Sequence, residues 1–175
     1  MRKLIEGKRI YLRQVTSGDA EGRYLQWMND PAINRFLESR YQKWSKKSLK
    51  DYIKAINKNS ANVFLAIVAR DKDVHIGNIK VGPIDPRYKH ADVGIVIGER
   101  AYWGKGFATE AIKLVIGYSF KTLKLHKLTA GAYANNVGSI KAFRRAGFSI
   151  EGVRRDQFCC NRAYCDGVLL GIVNK

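Results

Sequence analysis

Two glycines flank a lysine at the point where an apolar, helix-periodic segment begins. They are Gly104 and Gly106, on either side of Lys105 in the sequence WGKGFATEA, and residues 106–123 carry apolar side chains at helical spacing. The first N–H groups of a helix lack intrahelical partners and carry partial positive charge, so a phosphate group is stabilised there. Glycines let the main chain approach such an anion closely. Residues 102–109 therefore predict a phosphate-binding corner, the alternative being a glycine-containing turn without a ligand.

The segment before this corner carries an acid and two glycines on one face of a predicted strand. In residues 90–98 the odd positions from 91 to 97 are apolar, whereas Asp92, Gly94 and Gly98 occupy even positions. Glycine weakens a strand unless another group must approach its main chain or a bulge is needed. A carboxylate beside an anion-binding corner is suited to accept a proton. Asp92 is thus a candidate general base, and a solvated surface carboxylate is the alternative.

The elements that must position these residues alternate between strand and helix patterns. The sequence predicts strands at residues 8–15, 62–70, 75–81, 90–98, 127–134, 148–158 and 163–173. It predicts helices at residues 20–29, 32–37, 106–123 and 136–146, another beginning at Ser48, and a loop at residues 83–89. Strands followed by crossover helices indicate an α/β fold with a partly parallel, partly antiparallel sheet. The absence of repeats and linkers predicts one domain over residues 1–175.

The chain is strongly basic, with 32 Lys and Arg against 15 Asp and Glu and a formal net charge of +17. Because these charges are spread along all 175 residues, we expect a cationic surface or cleft that favours phosphorylated ligands or nucleic acid. The apolar segments are too short to span a bilayer and the first ten residues resemble no secretory signal, so we expect a cytoplasmic protein without membrane contact. We expect Cys159, Cys160 and Cys165 to be reduced and to bind no metal.

Residues 103–108, WGKGFA, resemble the R/Q-x-x-G-x-G/A acetyl-CoA loop of the GCN5-related N-acetyltransferase (GNAT) superfamily. The wider YWGKGFATEA, the early WMNDP and the later NNVGS, GF and EG are similar to the branch that contains RimJ/RimL-type ribosomal-protein acetyltransferases and spermidine acetyltransferase. The resemblance covers residues 8–173. It implies a GNAT-type mixed sheet, flanked by helices, that splays open between the strands at residues 90–98 and 127–134.

The resemblance also implies acetyl-CoA as the acetyl donor and assigns residues to it. Main-chain groups of Ile95, Val96 and Ile97 would pair with the pantetheine arm. Asn136 and Ser139 would lie near the pantetheine and the leaving sulfur, and Arg145 or Lys141 would meet a CoA phosphate. The pyrophosphate would be bound at the residues of the corner: Gly104, Lys105, Gly106, Phe107, Ala108 and Thr109.

The sequence departs from its relatives on the side of the general acid. Phe143 stands where many members of the family have a tyrosine, and Phe158 where the ribosomal-protein branch has a glutamate. Ser139 is therefore the remaining candidate to assist the departing thiolate, with Tyr133 and Tyr164 as further candidates. Asp92 lies 11 positions before Trp103, which is the spacing of the base glutamate in the histone-acetylating branch.

The resemblance implies an enzyme that acetylates a primary amine, and the acceptor stays open between two classes. These are a protein N-terminus, which would bring the enzyme to the ribosome, and an amino sugar linked to a nucleotide. We expect the segment FLESRYQKW, residues 36–44, to lie by the acceptor and to decide between them. The alternatives are a non-catalytic CoA-binding or RNA-binding module and a cysteine-based route. The sequence leaves the oligomeric state open, a homodimer included.

Overall fold

The computed structural model describes residues 3–160 and 163–175, which form one sheet with helices against both faces. The strands are β1 (Lys3–Glu6), β2 (Ile10–Gln14), β3 (Val63–Ala69), β4 (Val74–Asp85), β5 (His90–Ile97), β6 (Lys127–Tyr133), β7 (Ser149–Cys160) and β8 (Ala163–Val173). The α-helices are α1 (Arg23–Asn29), α2 (Pro31–Asn34), α3 (Lys46–Lys58), α4 (Phe107–Lys121) and α5 (Val137–Ala146). Short 3₁₀ turns lie at Ser17–Glu21, Glu38–Tyr41 and Arg100–Tyr102.

The strand order is β1-β2-β3-β4-β5-β6-β8-β7, and β5 and β6 run parallel while their other neighbours are antiparallel. The parallel pairing covers only three positions, from His90 opposite Lys127 to Asp92 opposite Thr129. Beyond them β5 stays paired with β4 up to Ile97, and β6 stays paired with β8 up to Tyr133. The mixed α/β sheet that opens between these two strands is therefore confirmed.

Two apolar layers hold the sheet between its helices. On one face the buried side chains of α4 and α5, such as Ile112 and Phe143, pack on the sheet. On the other face α1 and α3 supply a second cluster, which includes Trp27 and Ile53. Burial of apolar surface on both faces stabilises the sheet, so β5 and β6 can remain strands where they no longer pair with each other.

Several element boundaries differ from the sequence-based prediction. The predicted loop at residues 83–89 is partly wrong, because β4 continues to Asp85 after a register shift between Val81 and Ile84. The shift accommodates Pro83, which has no N–H to donate to a ladder. Strand β1 was not predicted, since its four residues are too few to show an alternation. The first helix begins at Arg23 rather than at residue 20, after a 3₁₀ turn.

Helices α1 and α2 are tied to the connection between β5 and α4. The Trp27 indole Nε1 donates a hydrogen bond to Glu99 (3.0 Å), and Arg23 forms an ion pair with the same carboxylate (2.8 Å). Arg100 pairs with Asp30 at 2.5 Å. The Trp27 ring also lies directly over Gly98, where an added Cβ would be 1.9 Å from the indole Cδ2. These contacts place α2 and the residues after it beside the opened end of β5.

We expect Gly98→Ala to lower the free energy of unfolding by about 1–3 kcal/mol, because the new methyl group must displace the buried Trp27 ring. Denaturant unfolding measures this change. The matched control is Gly117→Ala in α4, where an added Cβ meets no atom within 4 Å and alanine favours the helix by about 1 kcal/mol. Equal stability of Gly98→Ala and wild type would contradict the close packing of Trp27.

Candidate active site

The opening between β5 and β6 forms a cavity of about 800 Å³. Its walls are the diverging halves of β5 and β6, the start of α4, the first turns of α5, and the segment from α2 to the Glu38–Tyr41 turn. A cavity of this size lies in the usual range of ligand sites. Among the described residues, its lining includes most of the sequence-predicted positions: Ile95, Val96, Ile97, Gly104, Gly106, Phe107, Ala108, Thr109, Asn136, Ser139 and Arg145.

The free edge of β5 forms one wall of the cavity. Beyond Asp92 the main-chain groups of this strand that face β6 have lost their strand partner, while those that face β4 remain paired. Such an edge offers N–H and C=O groups to an extended, amide-containing ligand in the manner of a neighbouring strand. The carbonyl of Ile97 already accepts a hydrogen bond from the Trp103 indole (2.7 Å). The wall available to a ligand is therefore centred on Val93 to Val96.

The glycine corner forms the end of the cavity at the start of α4. Gly104 and Gly106 adopt left-handed conformations, with φ of +71° and +82°, which side chains rarely adopt. Among the residues that the structure describes, no side chain caps α4, so no capping residue takes up the N–H groups of its first turn. An uncapped helix start behind two left-handed glycines fits a diphosphate. Lys105 is outside the lining, and its carbonyl accepts a hydrogen bond from Arg9 (2.8 Å).

The opposite wall is the N-terminal part of α5. The Asn136 side-chain oxygen accepts a hydrogen bond from the Ser139 main-chain N–H (3.3 Å) and so caps this helix. Ser139 is half-buried and lines the cavity. Lys141 and Arg145 are exposed and also line the cavity, so this wall carries positive charge.

A buried tyrosine with two charged partners lies at the far end of the cavity. The Tyr133 hydroxyl, at the end of β6, donates a hydrogen bond to Glu38 and accepts one from Arg40 (2.8 Å). Its ring packs against Phe158 at 4.1 Å and against Phe36 at 5.8 Å. Burial and the hydrogen bond to the Glu38 carboxylate raise the pKa of Tyr133 to about 12, although Arg40 opposes the shift. The phenol is therefore a neutral proton donor at physiological pH.

Asp92 lies at the closed end of the opening, outside the cavity lining. Its side chain is exposed and accepts a hydrogen bond from the Thr129 hydroxyl of the last paired position. It shares a sheet face with Gly94 and Val96 because alternate residues of a strand point to the same side. Phe143 is 2% exposed, packs on Phe148 at 5.0 Å and also lines the cavity, so the position where the resemblance implies a tyrosine carries an apolar ring at the cavity wall.

Sequence reasoning missed Glu38 and Arg40 as partners of Tyr133. The segment at residues 36–44 was expected near the acceptor, and Phe36, Leu37 and Glu38 do line the cavity, whereas Trp44 is buried in the second apolar cluster. Glu38 and Tyr133 are 95 positions apart, so no local pattern connects them. One local signal was present: Glu38 and Arg40 form an acidic and basic pair inside the aromatic segment at residues 36–44, where a predicted helix ends.

The fold agrees with comparisons against known proteins. A family model described as an acetyltransferase (GNAT) domain matches residues 9–149. The chain is 32% identical to the probable N-acetyltransferase YjcK of Bacillus subtilis, over 98% of this chain and 97% of that protein. The chain therefore belongs to the GNAT family, and it is an N-acetyltransferase.

Solved structures share the fold at lower sequence identity. The spermidine N-acetyltransferase of Vibrio cholerae in complex with CoA and spermine superimposes with a TM-score of 0.84 at 22% identity, over 95% of this chain and 96% of that chain. The microcin C7 self-immunity acetyltransferase MccE in complex with acetyl-CoA and AMP gives 0.82 at 21% identity, over 96% and 94%. Relatives of this fold have thus been solved with CoA or acetyl-CoA.

Two further features, a metal site and a membrane-spanning helix, are independent of acetyl-CoA binding. In residues 3–160 and 163–175 no three His, Cys, Asp or Glu side chains come together in a way that could hold a metal ion. No helix in the same ranges is both long and apolar enough to cross a bilayer. The side chain of Cys160 lies outside the described residues, so the reduced state of the three cysteines stays a prediction.

We expect Tyr133→Phe to lower kcat about 10²-fold and to leave the KM for acetyl-CoA nearly unchanged, because it removes a proton donor but keeps the ring contacts. Steady-state kinetics against both substrates measures this split. Tyr164→Phe is the matched control, since Tyr164 is 71% exposed and outside the cavity. Similar kcat values for Tyr133→Phe and wild type would remove the phenol from the chemistry.

Proposed function

We propose that this enzyme transfers the acetyl group of acetyl-CoA to the primary amine of an acceptor linked to a nucleotide, such as an amino sugar. The observation that carries the proposal is one cavity with an anion-binding glycine corner at one end and an aromatic, proton-donating end at Tyr133. We further propose that residues 1–175 act as one domain and that the reaction takes place in the cytoplasm.

The residues present fit the donor. The main-chain N–H groups from Gly104 to Thr109 would hold the diphosphate, the free edge of β5 would pair with the pantetheine amides, and Lys141 or Arg145 would neutralise phosphate charge. Asn136, through its cap of α5, keeps Ser139 on the cavity wall. When bound, acetyl-CoA supplies the acetyl thioester to be attacked.

The part of the cavity between α2 and the end of β6, here called the acceptor half, favours a planar, anionic acceptor. Its half-buried aromatic side chains are Phe36 and Phe158, and aromatic faces stack on nucleobases. The exposed Arg35 guanidinium lies 4.8 Å above the Phe36 ring at the same wall and suits a phosphate.

A polyamine is disfavoured by the charges of this cavity. Glu38 is the single carboxylate among the described lining residues, and it is already engaged by Tyr133 and by Arg40, whose Nη1 lies 3.7 Å away. The cations Arg35, Lys141 and Arg145 outnumber it. Like charges would repel a polyamine that carries several ammonium groups.

Two protonation tasks are assigned to residues of this chain. The acceptor ammonium must lose a proton before it can attack, and we assign that proton to Asp92, acting through water because its side chain is outside the lining. The sulfur of the departing CoA must gain a proton. We assign that proton to the neutral phenol of Tyr133, whose hydroxyl would exchange its hydrogen bond to Glu38 for one to the sulfur, and we assign a second hydrogen bond to the sulfur to Ser139.

A protein N-terminus is the second candidate acceptor, and the basic surface favours it. Helix α3 places Lys46 and Lys54 on exposed positions about two turns apart, and the chain carries a net charge of +17. Such a face suits the phosphates of ribosomal RNA. Association with the ribosome and a homodimer stay predictions.

The acceptor is tested by thiol release from acetyl-CoA across three groups of amines: nucleotide-linked amino sugars, short peptides with free N-termini, and polyamines. We expect the highest kcat/KM with the nucleotide-linked amines. Turnover of spermidine alone would overturn both acceptor proposals. Silence with every amine, together with tight and salt-sensitive RNA binding, would favour the non-catalytic module.

We expect Asp92→Asn to lower the rate most at neutral pH while CoA affinity stays within about twofold, since the amide cannot accept the proton but lies outside the donor wall. A pH–rate profile and a CoA titration measure the two effects. Glu38→Gln is the comparison, because Glu38 is the carboxylate inside the cavity. If the acid limb of the profile were lost in Glu38→Gln and kept in Asp92→Asn, the base would be Glu38.

A further inference from the structure

Arg9, the residue before β2, binds the glycine corner from outside the cavity. Its main-chain N–H donates to Glu110 Oε1 and its Nε donates to Glu110 Oε2, both at 2.8 Å. Its Nη1 donates to the carbonyl of Lys105 at 2.8 Å, and its guanidinium carbon lies 4.4 Å from the centre of the Phe107 ring. Arg9 is not among the described residues that line the cavity. One side chain therefore contacts the corner, the first turn of α4 and an acid of that turn.

The hydrogen bond to Lys105 sets the direction of the next amide. In a trans peptide unit the carbonyl and the following N–H point to opposite sides. Because the Lys105 carbonyl is directed at Arg9, the N–H of Gly106 is directed away from Arg9, and Gly106 lines the cavity. The left-handed φ of +82° at Gly106 then leads directly into α4. The Nη1 of Arg9 thus holds the Lys105–Gly106 peptide with its N–H on the side opposite Arg9.

The ion pair also removes a negative charge from the entrance of α4. Glu110 lies in the first turn of this helix, where its carboxylate would repel an incoming diphosphate. Burial would raise the pKa of Glu110, but the hydrogen bonds and charge of Arg9 outweigh burial and hold that pKa below its ordinary value. The Glu110 carboxylate is therefore negatively charged at neutral pH, and the Arg9 guanidinium neutralises that charge.

We propose that Arg9 is a positioning residue for the donor: by binding the Lys105 carbonyl and neutralising Glu110, it presets the glycine corner for a diphosphate. This inference rests on the proposed function, because it takes the corner as the diphosphate site of CoA. It assigns to Arg9 no contact with the reacting atoms.

The test compares ligands that do and do not carry the diphosphate. Arg9→Ala and Arg9→Lys are titrated calorimetrically with CoA and with pantetheine, which lacks the diphosphate and the nucleotide. Arg70→Ala is the matched control: Arg70, the residue after β3, forms another Arg–Glu pair, with Glu6, and the variant keeps the main-chain hydrogen bond from residue 70 to the Arg9 carbonyl. Thermal unfolding of each variant confirms that it is folded.

We expect Arg9→Ala to weaken CoA binding at least about tenfold, the usual effect of losing hydrogen bonds to charged groups, and to leave pantetheine binding unchanged. Arg9→Lys should recover only part of the loss, because an ammonium keeps the charge without the fork. In turnover, the KM for acetyl-CoA should rise while the KM for the acceptor and kcat with S-acetylpantetheine stay at wild-type values.

An equal loss of CoA and pantetheine binding in folded Arg9→Ala would show a general structural role and overturn the proposal. So would an unchanged CoA affinity, or a loss as large in Arg70→Ala. The binding measurements need no acceptor. If no amine is acetylated but the CoA and pantetheine titrations separate as expected, the proposed function fails and the role of Arg9 stands.

Discussion

The parallel pairing of β5 with β6 stops after Asp92 and Thr129, and the cavity exists because it stops there. Ending a ladder inside a sheet exposes main-chain N–H and C=O groups, and each such group left unpaired in a buried place is unfavourable by about 1–3 kcal/mol. The strands remain extended because their outer edges are fully paired, to Gly77 on one side and to Gly167 on the other. The opened edges are thus held ready for a ligand that carries amides of its own.

The two ends of the cavity differ in charge and in chemistry. At the start of α4, left-handed glycines and unpaired helix N–H groups meet the exposed cations of α5, and this end suits phosphate. At the end of β6, Tyr133 lies between aromatic rings and is hydrogen-bonded to the Glu38 carboxylate and the Arg40 guanidinium. The orientation proposed for the donor, with its phosphates at α4 and its thioester toward Tyr133, rests on this difference. The difference in charge between the two ends of the cavity therefore depends on which strand end lies beside which helix start.

Long-range contacts preset both ends before any ligand binds. Arg9, the residue before β2, reaches the corner across 96 positions of the chain, and Arg40 reaches Tyr133 across 93 positions. Glu99 and Asp30 fasten the helices of the acceptor side to the turn that leads into α4. Preorganised groups of this kind need little rearrangement when charge develops during a reaction, which is the property that an acetyl-transfer site requires.

The sequence alone determined the features that depend on neighbours in the chain. The alternation in residues 90–98, the helix period after Gly106 and the two glycines predicted a strand, a helix and an anion-binding corner, because periodicity and φ preferences are local properties. Only the tertiary structure decided that Tyr133 meets Glu38 and Arg40, that Asp92 lies outside the cavity, and that β4 continues past Pro83. Those outcomes depend on which residues, far apart in the chain, the packing of the sheet brings together, and no local pattern encodes that.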